Sequence, residues 1–266
     1  DSEQEVQQLY DEANKVMKSA GMELAKWTSN ESSLLGGGDL TSQYVKVLGV
    51  SWDPSKDQFS FVATSLPDQI KCTKRVVLSL IARVFDPLGF VLPFTMGARF
   101  LFQDVWRLGI NWDDKLPACL ESSFRTWLDG LSCLEKVVIP RRFSEVPWTD
   151  CVESLELHAF GDASLKGYGA AVYLKCQLPS GKICCTLVRS CARVAPLERK
   201  TLPRLELLGS LVTAQLLSSV IHALHLSGDV NYTCWTDSMV ALGWIQGLPS
   251  KWKPWVANRV SSIQAL

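Results

Sequence analysis

The chain has 266 residues, 47% of them hydrophobic, and balances 27 basic side chains against 27 acidic ones. That length and apolar content suit one large globular domain or two ordinary ones and exclude a disordered chain. The zero net charge argues against a general polyanion binder and confines any nucleic-acid contact to a local basic face.

The chain opens on a predicted helix over residues 3–20, where Val6, Leu9, Ala13, Val16 and Met17 recur at helical spacing and Gly21 can close it in a left-handed cap. "SNESSLLGGGDLTSQ" is loop material. "YVKVLGVSWD" and "QFSFVAT" alternate apolar and polar residues around "PSKD" and predict a hairpin. From Thr73 the period becomes helical: Val76, Val77, Leu80, Ile81 and Val84 share one face, and "DPLG" ends it. Ala98, Leu101, Val105 and Leu108 mark a second helix that stops at Gly109, and Leu116, Leu120, Phe124, Trp127, Leu128 and Leu131 mark a third. Three successive amphipathic helices predict a small bundle.

"VVIPRRFSEVPWTDCVES" has prolines, charges and little periodicity, and predicts a domain boundary. Beyond it the pattern gives strands near 155–161, 167–175 and 182–191, a helix near 202–217, a strand near 230–236 and a helix from Ser238. The fold class is therefore α/β: a helical segment, then a sheet flanked by helices.

Nine cysteines, with no Cys-x-x-Cys pair and with Cys184 and Cys185 adjacent, suit reduced thiols and an intracellular compartment. In this reading no apolar run reaches membrane-spanning length, so no membrane partner is expected. The start at Asp1 reads as a piece of a longer protein.

Three acids hold special positions. Asp162 ends a strand, Glu206 follows Pro203 at the start of the long helix, and Asp237 ends a strand just before a helix. Singly, each has a structural explanation: an Asx turn, complementation of the helix dipole, and an N-cap, respectively. Jointly, neighbouring strand ends would bring the two aspartates together with Glu206 laid over them. Clustered carboxylates repel unless a cation neutralises them, and oxygen-only ligands suit Mg²⁺ or Mn²⁺. Two such ions about 4 Å apart clamp the attacking and leaving oxygens of a phosphodiester. Arg189, Arg193, Arg199, Lys200 and Arg204 can form a basic face toward nucleic-acid phosphates or simply a solvated surface, with Arg204 leaning toward substrate contact. His222 and His225 read as surface histidines and His158 as a satisfied core histidine. Trp235 and Trp244 read as packing residues, and Trp252 and Trp255 are open between packing and base stacking.

"LHAFGDASLKGYGAAVYL", "TLPRLELLG" and "CWTDSMVALGWI" resemble the first three acidic motifs of the ribonuclease H fold as carried by BEL/Pao-type retrotransposon polyproteins. "KVLGVSWD", "ARVFDPLGFVLPFTMGARFLFQDVW" and "INWDDKLP" resemble the segment between polymerase palm and ribonuclease H in that group, and "KWKPWVANRVSSIQ" the stretch after the third motif. The resemblance implies the end of a reverse transcriptase palm at 1–72, a helical thumb or connection at 73–153, and a ribonuclease H-like domain at 154–266 whose last acidic motif lies past Leu266. It implies that Asp162, Glu206 and Asp237 are catalytic carboxylates holding two Mg²⁺ or Mn²⁺ ions. Arg193, Lys200 and Arg204 become nucleic-acid contacts. The implied activity is hydrolysis of the RNA strand of an RNA/DNA hybrid, with the rest of the Pol polyprotein as partner and cytoplasmic virus-like particles as location. The piece alone is expected to be inactive, and Asp53, Asp113 and Asp114 are not polymerase acids but turn or helix-entry residues.

Two other readings remain open. One is an aspartic peptidase, although Asp162 is followed by Ala163 and Ser164 rather than the Thr/Ser-Gly such enzymes need. The other is a catalytically dead domain kept as a nucleic-acid-binding scaffold.

Overall fold

The computed structural model describes residues 3–24, 27–30, 45–47, 50–61, 70–143, 154–226 and 230–266. Most of the expected loop at 29–43, the end of the "QFSFVAT" segment and residues 144–153 of the expected boundary lie outside the described residues. The chain divides into two compact units, Asp1–Ala63 with Ser132–Pro147, and Thr64–Leu131 with Trp148–Leu266.

The first unit holds α1 (Glu3–Ser19) and a small antiparallel sheet in the order β1 (Val45–Val47), β2 (Val50–Asp53), β3 (Gln58–Ser60), β4 (Val138–Pro140). Gly21 takes φ 71, the left-handed cap expected of it. The hairpin turn is built by Asp53, whose carboxylate accepts from the backbone N–H of Ser55 and Lys56 and from the Ser55 hydroxyl. Asp57 accepts from the Trp52 indole and from Arg141 and Arg142, tying the exit of β4 to the hairpin. The run "VKVLGVSWD", expected as one strand, is two.

In the second unit come α2 (Lys74–Arg83), α3 (Leu92–Arg107) and α4 (Ala118–Asp129), then β5 (Ser154–Ala163), β6 (Gly167–Gln177), β7 (Ile183–Val194), α5 (Leu202–Ala223), β8 (Asn231–Trp235), α6 (Met239–Gln246) and α7 (Pro254–Gln264). The helical periodicity is spent on a core: Val77, Ala98, Val105 and Phe124 are fully buried. Thr73 caps α2 by accepting from Val76 N–H. Asp113 pairs with Arg75 across an exposed loop, and Asp114 accepts from Asn111 N–H.

The sheet runs β7-β6-β5-β8, antiparallel except for the parallel pair β5–β8. Parallel neighbours need a crossover, and α5 supplies it. This helix contradicts the expectation that no segment is long enough to span a membrane: it has 22 residues, an 18-residue window of it has a mean hydropathy of 1.3, and it passes by length and composition alone. Its apolarity has another cause here, because Leu205, Leu207, Val212, Leu216, Leu217 and Val220 are buried in the core.

Of the segment expected as a thumb or connection at 73–153, the part that carries α2–α4, up to Leu131, shares this unit with the sheet. Ser190 of β7 donates its N–H to Leu88 O at 2.8 Å and its hydroxyl to Gly89 O at 2.5 Å, while Gln103 donates to Ala195 O at 2.6 Å. Gly89 adopts φ 80, and a Cβ there would collide with the Ser190 carbonyl, so this contact requires glycine.

Candidate metal centre

Asp162 and Asp237 lie at the carboxyl ends of adjacent parallel strands because β5 and β8 pair through Phe160↔Trp235. Glu206 arrives from α5. That helix sits close to β5 at paired glycines: a Cβ on Gly161 would collide with the Thr213 hydroxyl, and one on Gly209 would fall 3.1 Å from Asp162 O. The close approach lowers Glu206 onto the strand ends, and one oxygen from each of Asp162, Glu206 and Asp237 lies within 4.8 Å of the others.

The structural roles open to these acids are filled by other residues. Ser238 caps α6, its hydroxyl accepting from Ala241 N–H, which frees Asp237. Ser164 organises the β5–β6 turn by accepting from the N–H groups of Lys166 and Gly167, while among the described residues Asp162 accepts only from its own neighbour, Ala163 N–H, at 2.7 Å. Glu206 is 8% exposed, so it does not serve as a solvated dipole partner.

Glu206 Oε2 is buried with no hydrogen-bond partner among the described residues. Burial, followed by the charges of Asp162 and Asp237, pushes its carboxyl above the ordinary glutamate range, against a backbone hydrogen bond from Ala163 that lowers it. A buried, unpartnered carboxylate oxygen facing two further carboxylates is a donor set for a hard divalent cation. An open cleft of about 850 Å³ adjoins the acids, lined by Phe160, Tyr168, Met96 and Phe100 besides Asp162 and Asp237.

The basic residues spread out. Arg193 is exposed on β7, opposite Tyr168. Lys200 is paired with Glu198 at 2.7 Å. Arg189 reaches Ser219 of α5 instead of the carboxylate end. Arg204 lies over the Trp255 ring, 5.2 Å from its centroid, and joins Arg259, which sequence reasoning missed. The spacing Trp255-x-x-x-Arg259 on a helix was the available signal.

His158 is satisfied, but on the sheet face beside Phe160 and Trp235 rather than in the core. It accepts from the Trp235 indole at Nδ1 and so donates from Nε2 to Glu156. Trp235 is half exposed and stacks on Phe160, whereas Trp244, Trp252 and Trp255 pack around Leu207, Val256 and Val260. His222 and His225 are exposed, and no metal ligand joins them among the described residues.

A strand order of this kind, with two carboxylates at the ends of adjacent parallel strands and a third laid over them by a helix, is the arrangement of a ribonuclease H-like domain. A family model described as the Pao retrotransposon-like RNaseH-like domain matches residues 73–238, more than half of the chain, and the chain belongs to that family. The match takes in α2–α4 and all three acids. Among solved structures, the chain is similar to a foamy viral protease-reverse transcriptase dRH in complex with double-stranded DNA, at 15% identity and a TM-score of 0.41. That similarity covers 84% of this chain and 36% of the viral chain. No match was found among curated proteins.

Proposed function

We propose that the chain carries the ribonuclease H-type centre of a retrotransposon reverse transcriptase, which hydrolyses the RNA strand of an RNA/DNA hybrid. The observation that carries this reading is the convergence of Asp162, Glu206 and Asp237 within 4.8 Å, with a buried oxygen of Glu206 unpartnered. These three residues would hold Mg²⁺ or Mn²⁺, two ions in the complete site. When bound, such ions polarise a phosphodiester and stabilise the attacking and leaving oxygens.

The chain's own residues prepare the site. The Ala163 N–H fixes the Asp162 carboxylate, Ser238 leaves Asp237 free by taking over the cap, and the glycine pair sets the depth of Glu206. On this reading residues 1–72 belong to the end of a polymerase palm and 73–153 to a thumb or connection, and the RNA/DNA hybrid and the rest of the polyprotein are the partners.

The test is Mn²⁺-dependent cleavage of an end-labelled hybrid by a version of the chain carried past Leu266 through the expected fourth acid. Scission of the RNA strand alone, lost in Asp162→Asn, is expected. A folded protein that binds hybrid but leaves the RNA strand intact would make this a nucleic-acid-binding scaffold.

A further inference from the structure

Trp255, in the first turn of α7, lies under two guanidiniums. Arg259 stands 3.8 Å from the ring centroid and Arg204, in the first turn of α5, stands 5.2 Å from it. Arg204 and Leu207 share one helical face by their spacing, and Leu207 packs against Val256 and Val260 of α7, so the helix contact itself brings the two arginines together.

Neither arginine forms an ion pair with a carboxylate among the described residues. Arg259 donates one Nη to Trp255 O at 2.8 Å, which fixes the head group, while its Nε is buried with no partner among the described residues. Burial and the neighbouring Arg204 charge both act against the Arg259 cation, while Tyr168, the Trp255 ring face and the Trp255 carbonyl favour it. Two cations held against one indole repel each other, and an anion joining them offsets that repulsion.

The place of the pair narrows that anion's identity. Tyr168 is the cross-strand partner of Ala163, the residue after Asp162, and lines the cleft that Asp162 and Asp237 also line. Arg204 lies two residues before Glu206 on α5, on a different face of the helix by its spacing, so the cation pair lies beside the turn that carries Glu206. We infer that Arg259 and Arg204, stacked on Trp255, grip a backbone phosphate of the nucleic acid whose neighbouring phosphodiester lies at the carboxylates. The inference rests on the ribonuclease H-type reading and adds to it a phosphate contact from α7. Guanidinium donors suit a phosphate's oxygens, and the indole keeps both arginines oriented before the strand arrives.

Binding of a fluorescent RNA/DNA hybrid to the full 266-residue chain, measured by anisotropy in EDTA across a salt series, tests this without any turnover. Arg204→Gln with Arg259→Gln together should weaken binding several-fold and flatten the dependence of log K on log salt by about 0.9, the value of one phosphate contact. Arg204→Gln alone, which removes none of the hydrogen bonds found among the described residues, should lose part of that slope and keep the wild-type melting temperature. Arg259→Lys should retain most of the slope, and Arg125→Gln, at an exposed pair with Glu121, should change nothing. A wild-type slope and affinity in Arg204→Gln and in a folded double variant would overturn the phosphate grip while leaving the carboxylate reading intact. Failure of the unaltered chain to bind hybrid would instead remove the nucleic-acid reading, and this inference with it.

Discussion

Glu206 sits where its charged form is disfavoured, and that sets a pH dependence. Its folded-state carboxyl is raised above the ordinary value by burial and by Asp162 and Asp237. The folded chain thus holds this proton more tightly than the unfolded chain does, and stability falls as pH rises from the ordinary glutamate value through the raised one. Metal-free protein should lose melting temperature across that window, and Glu206→Gln should flatten the loss. An identical pH profile in the variant would show that Glu206 is not the group at strain. Added Mn²⁺ should restore the melting temperature on the alkaline side, because the cation favours the charged form. The three acids were legible in the sequence because each interrupts an apolar run where a strand ends or a helix begins. Their freedom was not, because Asp237 and Ser238 are both good caps, and only the folded backbone shows Ser238 taking that role.

At the scale of elements, the centre depends on how closely α5 lies on β5. Gly161→Ala places a methyl against the Thr213 hydroxyl. Overpacking of this kind costs about 1–3 kcal/mol. Denaturant melts should show that loss, and combining Gly161→Ala with Thr213→Ala should recover part of it, since the colliding oxygen is gone. Equal melts for wild type and Gly161→Ala would mean that α5 stands farther from the strand than described. The glycines were visible in "FGDAS" and "LELLGS", but which atoms face them depends on a strand and a helix that meet across about fifty residues of sequence. The long strands and helices of the second unit follow the periodicity of their side chains closely. β4 was not legible: three residues ending in Pro140 carry too short a pattern, and the strand pairs with β3, which is remote in sequence.

At the scale of the whole molecule, the second unit joins two stretches that look unrelated in sequence. Helical periodicity in α2–α4 predicts a bundle, yet nothing in that period states what the bundle packs on. The answer lies in single polar contacts, Ser190 to Leu88 and Gly89, and Gln103 to Ala195, made across about ninety to a hundred residues. A local pattern cannot encode such pairings. The family match from 73 to 238 takes in α2–α4, the sheet and the three acids, along with Ser132–Pro147 of the first unit. The helices, the sheet and the three acids therefore belong to one body, and the carboxylate centre is part of it.

Mn²⁺ titration of the 266-residue chain by calorimetry, beside Asp162→Asn, asks whether Asp162, Glu206 and Asp237 form a divalent-cation site. Saturable binding that weakens on the order of tenfold or more in the variant is expected. Equal Mn²⁺ affinity in the two proteins, both folded, would show that these carboxylates do not hold the ion.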